Sequence, residues 1–122
     1  MLLLALCGCG GGGAEQAAKD AASIAAGAEL AADLRASGAV PRVYATQLTK
    51  HLRGELAKAR QTLGGGEAGA DAARLDGVLG EMHRAAEADE RAGLRRAGEA
   101  ADGLARRLSD AADRLKAREG GR

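Results

Sequence analysis

A regular run of apolar residues near the carboxyl end of the chain limits the choice of fold more than any other stretch. Apolar side chains recur there at alternating steps of three and four, at Leu94, Ala97, Ala101, Leu104, Leu108, Ala111 and Leu115. This spacing lines one face of an α-helix and is typical of helices that pack side by side. Alanine takes three of these seven positions, so a covering helix has to lie close to this seam. Gly27, Ala28 and Ala31 are small residues that allow such an approach.

Bulky apolar residues are scarce, although 46% of the 122 residues are hydrophobic. Tyr44 is the one aromatic residue, and the sequence contains neither Phe nor Trp. Strands favour aromatic and β-branched residues, whereas Ala, Leu, Glu and Arg favour helices. The composition therefore argues against a sandwich, a barrel or a doubly wound sheet. It predicts a small, Ala-rich, all-α bundle with a long C-terminal helix and a signal or disordered N-terminus.

Glycine and proline delimit two helices in the first half of the chain. The first is predicted from Ala14 to Ala36 because Ser37 and Gly38 stop it. Pro41 suits the first turn of the second, and three glycines from Gly64 end it. The first helix has an apolar stripe of Ile24, Ala28, Leu30, Ala31 and Leu34. The second has an apolar face of Tyr44, Leu48, Leu52, Leu56, Ala59 and Leu63.

A third helical region is predicted from Asp71, a suitable N-cap, to Arg118. Its apolar residues lose their phase between Ala86 and Leu94, which are eight residues apart where a heptad repeat gives seven. One long helix with a phase slip is the preferred interpretation, because no proline interrupts the region. The alternative is a turn within residues 88–93, which makes a bundle of four helices rather than three.

The seam also predicts self-association. A long third helix is expected to extend beyond the two shorter helices that cover it, so its distal half is expected to pair with another copy or with a partner protein. A helical hairpin that closes near residue 90 is the intramolecular alternative.

The amino-terminal residues combine a short apolar run with two cysteines. Residues 1–6 are apolar but far too few for a membrane-spanning helix. They lead into Leu6-Cys7-Gly8-Cys9 and then four glycines. This stretch resembles a lipobox, the end of a bacterial lipoprotein signal peptide. Leu6 stands at the third position before the acceptor Cys9, and Gly8 stands just before it.

The resemblance implies a lipid anchor. Cys9 would carry a thioether-linked diacylglycerol, signal peptidase II would cut after Gly8, and the new amine would be acylated. Two or three acyl chains anchor a protein stably, since each buried methylene contributes about 0.8 kcal/mol. Gly10 after the cysteine favours sorting to the outer membrane in a cell that has one, so the predicted location is the cell envelope. The chain would divide into a signal peptide (1–8), a lipidated cysteine with a glycine tether (9–13), a helical bundle (14–118) and a flexible tail (119–122).

Other interpretations of the cysteines stay open. Cys7 and Cys9 are unmodified if the protein is a cytoplasmic helical adaptor. A metal-binding pair is a further alternative, although a lone C-x-C makes a poor tetrahedral site. A disulfide across one intervening residue would be strained.

The distribution of charge gives no reason to expect a polyanionic partner. The formal net charge is +1, and no aromatic side chains accompany the basic residues to stack on bases, so nucleic-acid binding is not predicted. Residues 42–60 carry a net charge of +4 and residues 15–35 one of −2. We expect these segments to be neighbouring helices that attract each other weakly. Contact of the basic segment with anionic lipid headgroups is the alternative.

Candidate residues for chemistry are few, and the sequence predicts neither an enzyme nor a cofactor. The serines lack a histidine within helical reach, and the glycine runs lack the Lys-Ser/Thr of a phosphate-binding loop. Two pairs place a histidine and a glutamate on one helical face, His51 with Glu55 and His83 with Glu87. If both pairs met across an antiparallel interface, they could bind a divalent transition metal.

The sequence as a whole favours a non-catalytic envelope lipoprotein that acts as a structural or protein-interaction module. Its expected partners are the membrane, through the lipid anchor, and another copy or an envelope protein, with no small-molecule substrate indicated. An envelope metal-binding or metal-sensing protein and an unlipidated cytoplasmic adaptor are the alternative functions.

Overall fold

The protein forms a bundle of antiparallel helices in a computed structural model that describes residues 12–120. Within this range lie four α-helices: α1 (Gly12–Ala36), α2 (Arg42–Leu63), α3 (Gly66–Ala88) and α4 (Arg91–Gly120). Each helix packs against its neighbours in sequence, and α4 returns to make the most extensive contact of all with α1. Because the connections are short, successive helices run in opposite directions. The predicted all-α bundle with a long C-terminal helix is confirmed, and the alternative of four helices applies.

The chain turns between α3 and α4 at Asp89 and Glu90, so the preferred single helix from 71 to 118 is wrong. Asp89 adopts the left-handed conformation, with φ 58° and ψ 40°. Both its amide and the amide of Glu90 donate to the carbonyl oxygen of Ala85, which closes α3. Aspartate enters this conformation more readily than most residues because its short polar side chain can hydrogen-bond locally. The turn at Asp89 and Glu90 therefore explains why Ala86 and Leu94 are eight residues apart.

The helix ends differ from the predicted ends in three places. Helix α1 begins at Gly12, two residues early, and α4 continues to Gly120, so Glu119 and Gly120 belong to a helix and not to a tail. Helix α3 begins at Gly66, with Gly65 as its N-cap. Asp71 lies in the second turn and is 1% exposed, so it does not cap the helix as predicted. At the other boundary, Gly64 ends α2 as predicted, with a positive φ of 61° that favours glycine.

The seam of α4 is covered within the chain by alanines of α1. Helix α1 buries a row of alanines at steps of three and four residues, Ala18, Ala21, Ala25, Ala28 and Ala32. A Cβ built on Gly98 of α4 would lie 3.4 Å from the Cβ of Ala32, so the two helices approach closely there. Gly27 plays no part in this contact, because a Cβ built on it meets nothing within 4 Å. The seam is buried within a single chain as far as Ala111, while Leu115 is only partly buried.

The predicted apolar face of α2 is buried in the middle of the helix and exposed at its beginning. Leu56 is fully buried, while Leu48, Leu52 and Leu63 are partly buried against the core. Tyr44 is 52% exposed, contrary to the prediction. Each four-residue step advances the face by about 40° around the helix, so three steps separate Tyr44 from Leu56 by about 120°. Leu30 of α1 is likewise exposed, at 60%, although it was predicted to join the apolar stripe.

Charge alternates in sign around the ring of helices. Helix α2 carries five basic residues and one acidic, and α4 eight basic and five acidic. Helix α1 carries two basic and four acidic residues, and α3 two basic and five acidic. The predicted acidic and basic segments are neighbours, but the interhelical ion pairs of α2 lead to α3, from Arg53 and Arg60 to Asp76. Every helix thus lies between two helices of opposite net charge.

Candidate functional site

The predicted lipidation site, Cys9, lies outside the described residues, as does the predicted signal peptide (1–8). Helix α1 begins at Gly12, so Gly12 and Gly13 of the predicted tether are helical. Three residues of extended chain reach at most about 11 Å, which bounds the distance from Cys9 to the first turn of the bundle. Any group on Cys9 therefore stays beside one end of the bundle. We call this the tether end; it comprises the first turn of α1, the α2–α3 connection and the last turns of α4.

A groove of about 210 Å³ opens at the tether end. All four helices contribute apolar side chains to it: Ala14, Leu63, Ala68, Ala111 and Leu115. No local pattern in the sequence indicates this groove, because its residues lie far apart in the chain. Glu67, Arg114 and Arg118 line it as well, and Arg114 Nη2 lies 2.9 Å from Glu67 Oε1. The result is an apolar groove bordered by charged side chains.

The histidine and glutamate pairs do not meet in the way that the metal hypothesis requires. His83 Nε2 lies 3.6 Å from Glu87 Oε2 on α3, whereas His51 is exposed on α2. Glu55 Oε2 lies 3.3 Å from Lys58 Nζ. The ion pair between Arg53 and Asp76 shows which residues of the antiparallel helices α2 and α3 lie opposite each other. Counted from that pair, His51 lies opposite about residue 78, five positions before His83. Nowhere in residues 12–120 do three or more His, Cys, Asp or Glu side chains come together as a metal would need.

A second groove, of about 430 Å³, lies at the opposite end of the bundle where α3 turns into α4. Charged side chains of both signs line it, Glu81, Arg84, Glu90 and Arg96, together with Ala85, Ala88 and Gly93. The four charged residues are exposed to solvent. This groove is therefore a solvated, polar feature of the surface.

Asp71 is a buried charge that sequence reasoning treated as a cap. Its Oδ1 accepts from Arg74 Nη1 at 2.7 Å, and both its carboxylate oxygens accept from Arg107 Nε, at 3.1 and 3.2 Å. The carboxylate is 1% exposed, while both arginine side chains are more than half exposed. A buried charge needs such partners, because an unpaired one costs far more than it contributes. Asp71 therefore ties α3 to α4 at a fixed register.

Two carboxyl groups, Glu29 and Asp76, have shifted pKa values. The pKa of Glu29 is raised, first by desolvation and then by the neighbouring carboxylates of Asp102 and Asp33. The pKa of Asp76 is lowered because Arg53 donates to it from Nε and Nη2, at 3.0 and 3.2 Å. Glu29 and Asp102 lie on α1 and α4, so two carboxyl groups meet across the most extensive helix contact of the bundle. Both shifts belong to contacts between helices.

Arg35 joins the two connections at the end opposite the tether. Its Nη1 donates to the carbonyl oxygen of Val40 at 3.2 Å, and its Nη2 donates to Asp89 Oδ1 at 3.1 Å. The side chain is 14% exposed, and its Nε is buried without a hydrogen-bond partner. The residue thus fixes both the α1–α2 loop and the turn at Asp89.

Comparison with protein-family models, curated proteins and solved structures found no match to the chain. None of the four helices in residues 12–120 combines the length and the apolarity that crossing a membrane requires.

Proposed function

We propose that the protein is a non-catalytic lipoprotein of the bacterial cell envelope, anchored by lipid on Cys9. The observation that carries the proposal is the sequence Leu6-Cys7-Gly8-Cys9 immediately before the bundle. In this proposal the Cys9 thiol loses its proton and takes a diacylglyceryl group from a phospholipid, whose phosphate headgroup leaves as the carbon–oxygen bond breaks. Water then hydrolyses the peptide bond after Gly8, and the new amine takes an acyl group from a second phospholipid, which leaves as a lysophospholipid. The anchor lies on the outer membrane where the cell has one.

The bundle acts as a structural or protein-interaction module in this proposal. Its support is the position of exposed apolar side chains relative to the tether. Leu30, Val43 and Tyr44 are 60%, 63% and 52% exposed, and all three lie in the half of the bundle away from the tether end. A protein held to a membrane at Cys9 would present them away from the lipid surface, where an envelope partner could contact them. Tyrosine is enriched at such interfaces because it combines a large apolar ring with a polar group.

Metabolic labelling with a fatty-acid probe in a bacterial host tests the anchor. We expect the wild-type chain to be labelled and to accumulate unprocessed when signal peptidase II is inhibited. Cys9→Ser removes the acceptor thiol, so this variant should be neither labelled nor sensitive to the inhibitor. Cys7→Ser is the matched control and should behave as the wild type does. Equal labelling of wild type and Cys9→Ser contradicts the proposal, and absence of label from all three variants favours the unlipidated cytoplasmic adaptor.

A further inference from the structure

We propose that the groove at the tether end shelters part of an acyl chain carried by Cys9. The inference rests on the proposed lipidation and names what the groove holds when the protein is not inserted in a bilayer. It commits to one occupant, the alkyl tail of an acyl chain that is linked through glycerol to the Cys9 sulfur.

The position of the groove relative to the tether is the first argument. Ala14 lines the groove and lies in the first turn of α1, five residues after Cys9. Since Gly12 already belongs to the helix, at most about 11 Å of chain separates Cys9 from the bundle at this end. A chain bound to the Cys9 sulfur therefore starts beside the groove. The polar groove between α3 and α4 lies at the other end of helices more than 20 residues long, or about 30 Å away.

The lining of the groove is the second argument. Leu63, Ala68, Ala111 and Leu115 offer methyl and methylene groups, and Gly65 and Gly66 line the groove without side chains. Leu63 and Leu115 are only partly buried, so they retain apolar surface that an alkyl chain could cover. Covering apolar surface on both partners is favourable in water. Arg114 and Arg118 supply donors beside the groove, and a guanidinium can donate to the carbonyl oxygen that joins an acyl chain to glycerol.

Chemical alkylation of Cys9 in the purified full chain tests the inference. In the Cys7→Ser variant, Cys9 carries the single thiol. This thiol adds across the carbon–carbon double bond of a maleimide, with sulfur on one carbon and hydrogen on the other, and the reaction needs no cellular enzyme. We compare dodecyl and ethyl maleimide, which differ only in the length of the alkyl group. If the groove shelters the long chain, the dodecyl protein should stay monomeric in sedimentation equilibrium. Its thermal midpoint should lie at least about 4 °C above that of the ethyl protein.

Groove variants and a matched control make the test specific. Leu115→Ser and Leu63→Ser should each remove at least half of the dodecyl-minus-ethyl rise in midpoint, which is measured within each variant so that a change in its own stability cancels. Leu30→Ser alters an exposed leucine away from the tether end and should leave the rise intact. The inference is overturned if the dodecyl protein associates through its alkyl chains, if no rise is seen, or if Leu30→Ser abolishes the rise as the groove variants do.

Alkylation in vitro also separates this inference from the proposed function. A dodecyl-dependent rise combined with no fatty-acid label in cells rejects the lipoprotein and retains a groove that binds alkyl chains. Labelling in cells without such a rise retains the lipoprotein and rejects the sheltered chain.

Discussion

Asp71 is a charged side chain that is almost completely buried, at 1% exposure. It is buried in the contact between α3 and α4, yet two exposed arginines satisfy its oxygens from the solvent side. If the carboxylate were replaced by an amide, the exposed arginines could hydrogen-bond to water instead. The folded protein would still be less stable, because a buried amide accepts hydrogen bonds from two guanidinium groups more weakly than a carboxylate does.

We therefore expect Asp71→Asn to lower the free energy of unfolding by about 1–3 kcal/mol. Urea unfolding followed by circular dichroism measures this change. Asp110→Asn, at an exposed position of α4, is the control and should leave the midpoint within error of wild type. An unchanged midpoint for Asp71→Asn would mean that the buried ion pairs do not stabilise the α3–α4 contact.

For Glu29 we expect the opposite effect, an increase in stability when the charge is removed. Its pKa is raised in the folded protein by desolvation, Asp102 and Asp33, while Arg106 opposes the shift. A raised pKa means that the protonated form is favoured by folding, so this contribution to stability is complete below the unfolded pKa and is lost as pH rises through the folded value. At neutral pH the ionised Glu29 faces the carboxylate of Asp102 across the α1–α4 contact.

Glu29→Gln should therefore raise the thermal midpoint at pH 7, and the difference from wild type should shrink as the pH falls towards 4. Thermal unfolding of both proteins across that pH range measures the effect. Glu99→Gln changes an exposed glutamate of α4 and should show no such pH-dependent gain. A Glu29→Gln protein that is less stable than wild type at pH 7 would exclude repulsion as the cause of the shift.

At the scale of the helices, the boundaries predicted most accurately from the sequence are those next to proline and glycine. Gly64 ends α2 as predicted, because a positive φ favours glycine. Pro41 marks the beginning of α2 to within one residue, since it is the N-cap before Arg42 and not a member of the predicted first turn. The turn at Asp89 was missed in favour of a continuous helix, since aspartate in a left-handed conformation is a much weaker signal than Gly or Pro. The single extra residue between Ala86 and Leu94 was its only mark in the apolar pattern.

The candidate site was less predictable than the helices. Its groove depends on which helix ends meet, and this follows from the direction and ring order of the helices rather than from any local pattern. Leu63 and Leu115 each end a predicted apolar face, and Ala14 and Ala68 lie near the beginnings of helices, but no local pattern indicates that these residues meet. The histidines are the opposite case. Their spacing from Glu55 and Glu87 suggested a metal site, but the packing of α2 against α3 does not bring His51 and His83 together.

The glycines provide a test at the scale of the helices. A Cβ on Gly69 of α3 would overlap the carbonyl oxygen of Gly64, so Gly69→Ala should destabilise the α2–α3 connection. A Cβ on Gly103 of α4 meets nothing within 4 Å, so Gly103→Ala should stabilise the protein by about 0.5–1 kcal/mol through helix propensity. Denaturant unfolding of the two variants should shift the midpoint in opposite directions, and shifts of the same sign would contradict the close contact at Gly69.

At the scale of the whole molecule, the two ends of the bundle differ. The tether end has an apolar groove beside the start of α1, and the far half carries the exposed Leu30, Val43 and Tyr44. Helix α1 has 25 residues, so the two ends are separated by about 36 Å. In the proposed function, lipid on Cys9 would hold the tether end at the membrane and leave the far half accessible to an envelope partner.

Mass spectrometry of the amino-terminal tryptic peptide tests the proposed anchor most directly. Lys19 is the first basic residue after Cys9, so the lipoprotein should yield a peptide from Cys9 to Lys19. We predict that this peptide, from protein extracted out of membranes, carries the mass of a diacylglycerol on Cys9 and an acyl group on its amine, with residues 1–8 absent. A peptide from the same fraction that still contains residues 1–8 and a free Cys9 thiol would contradict the account.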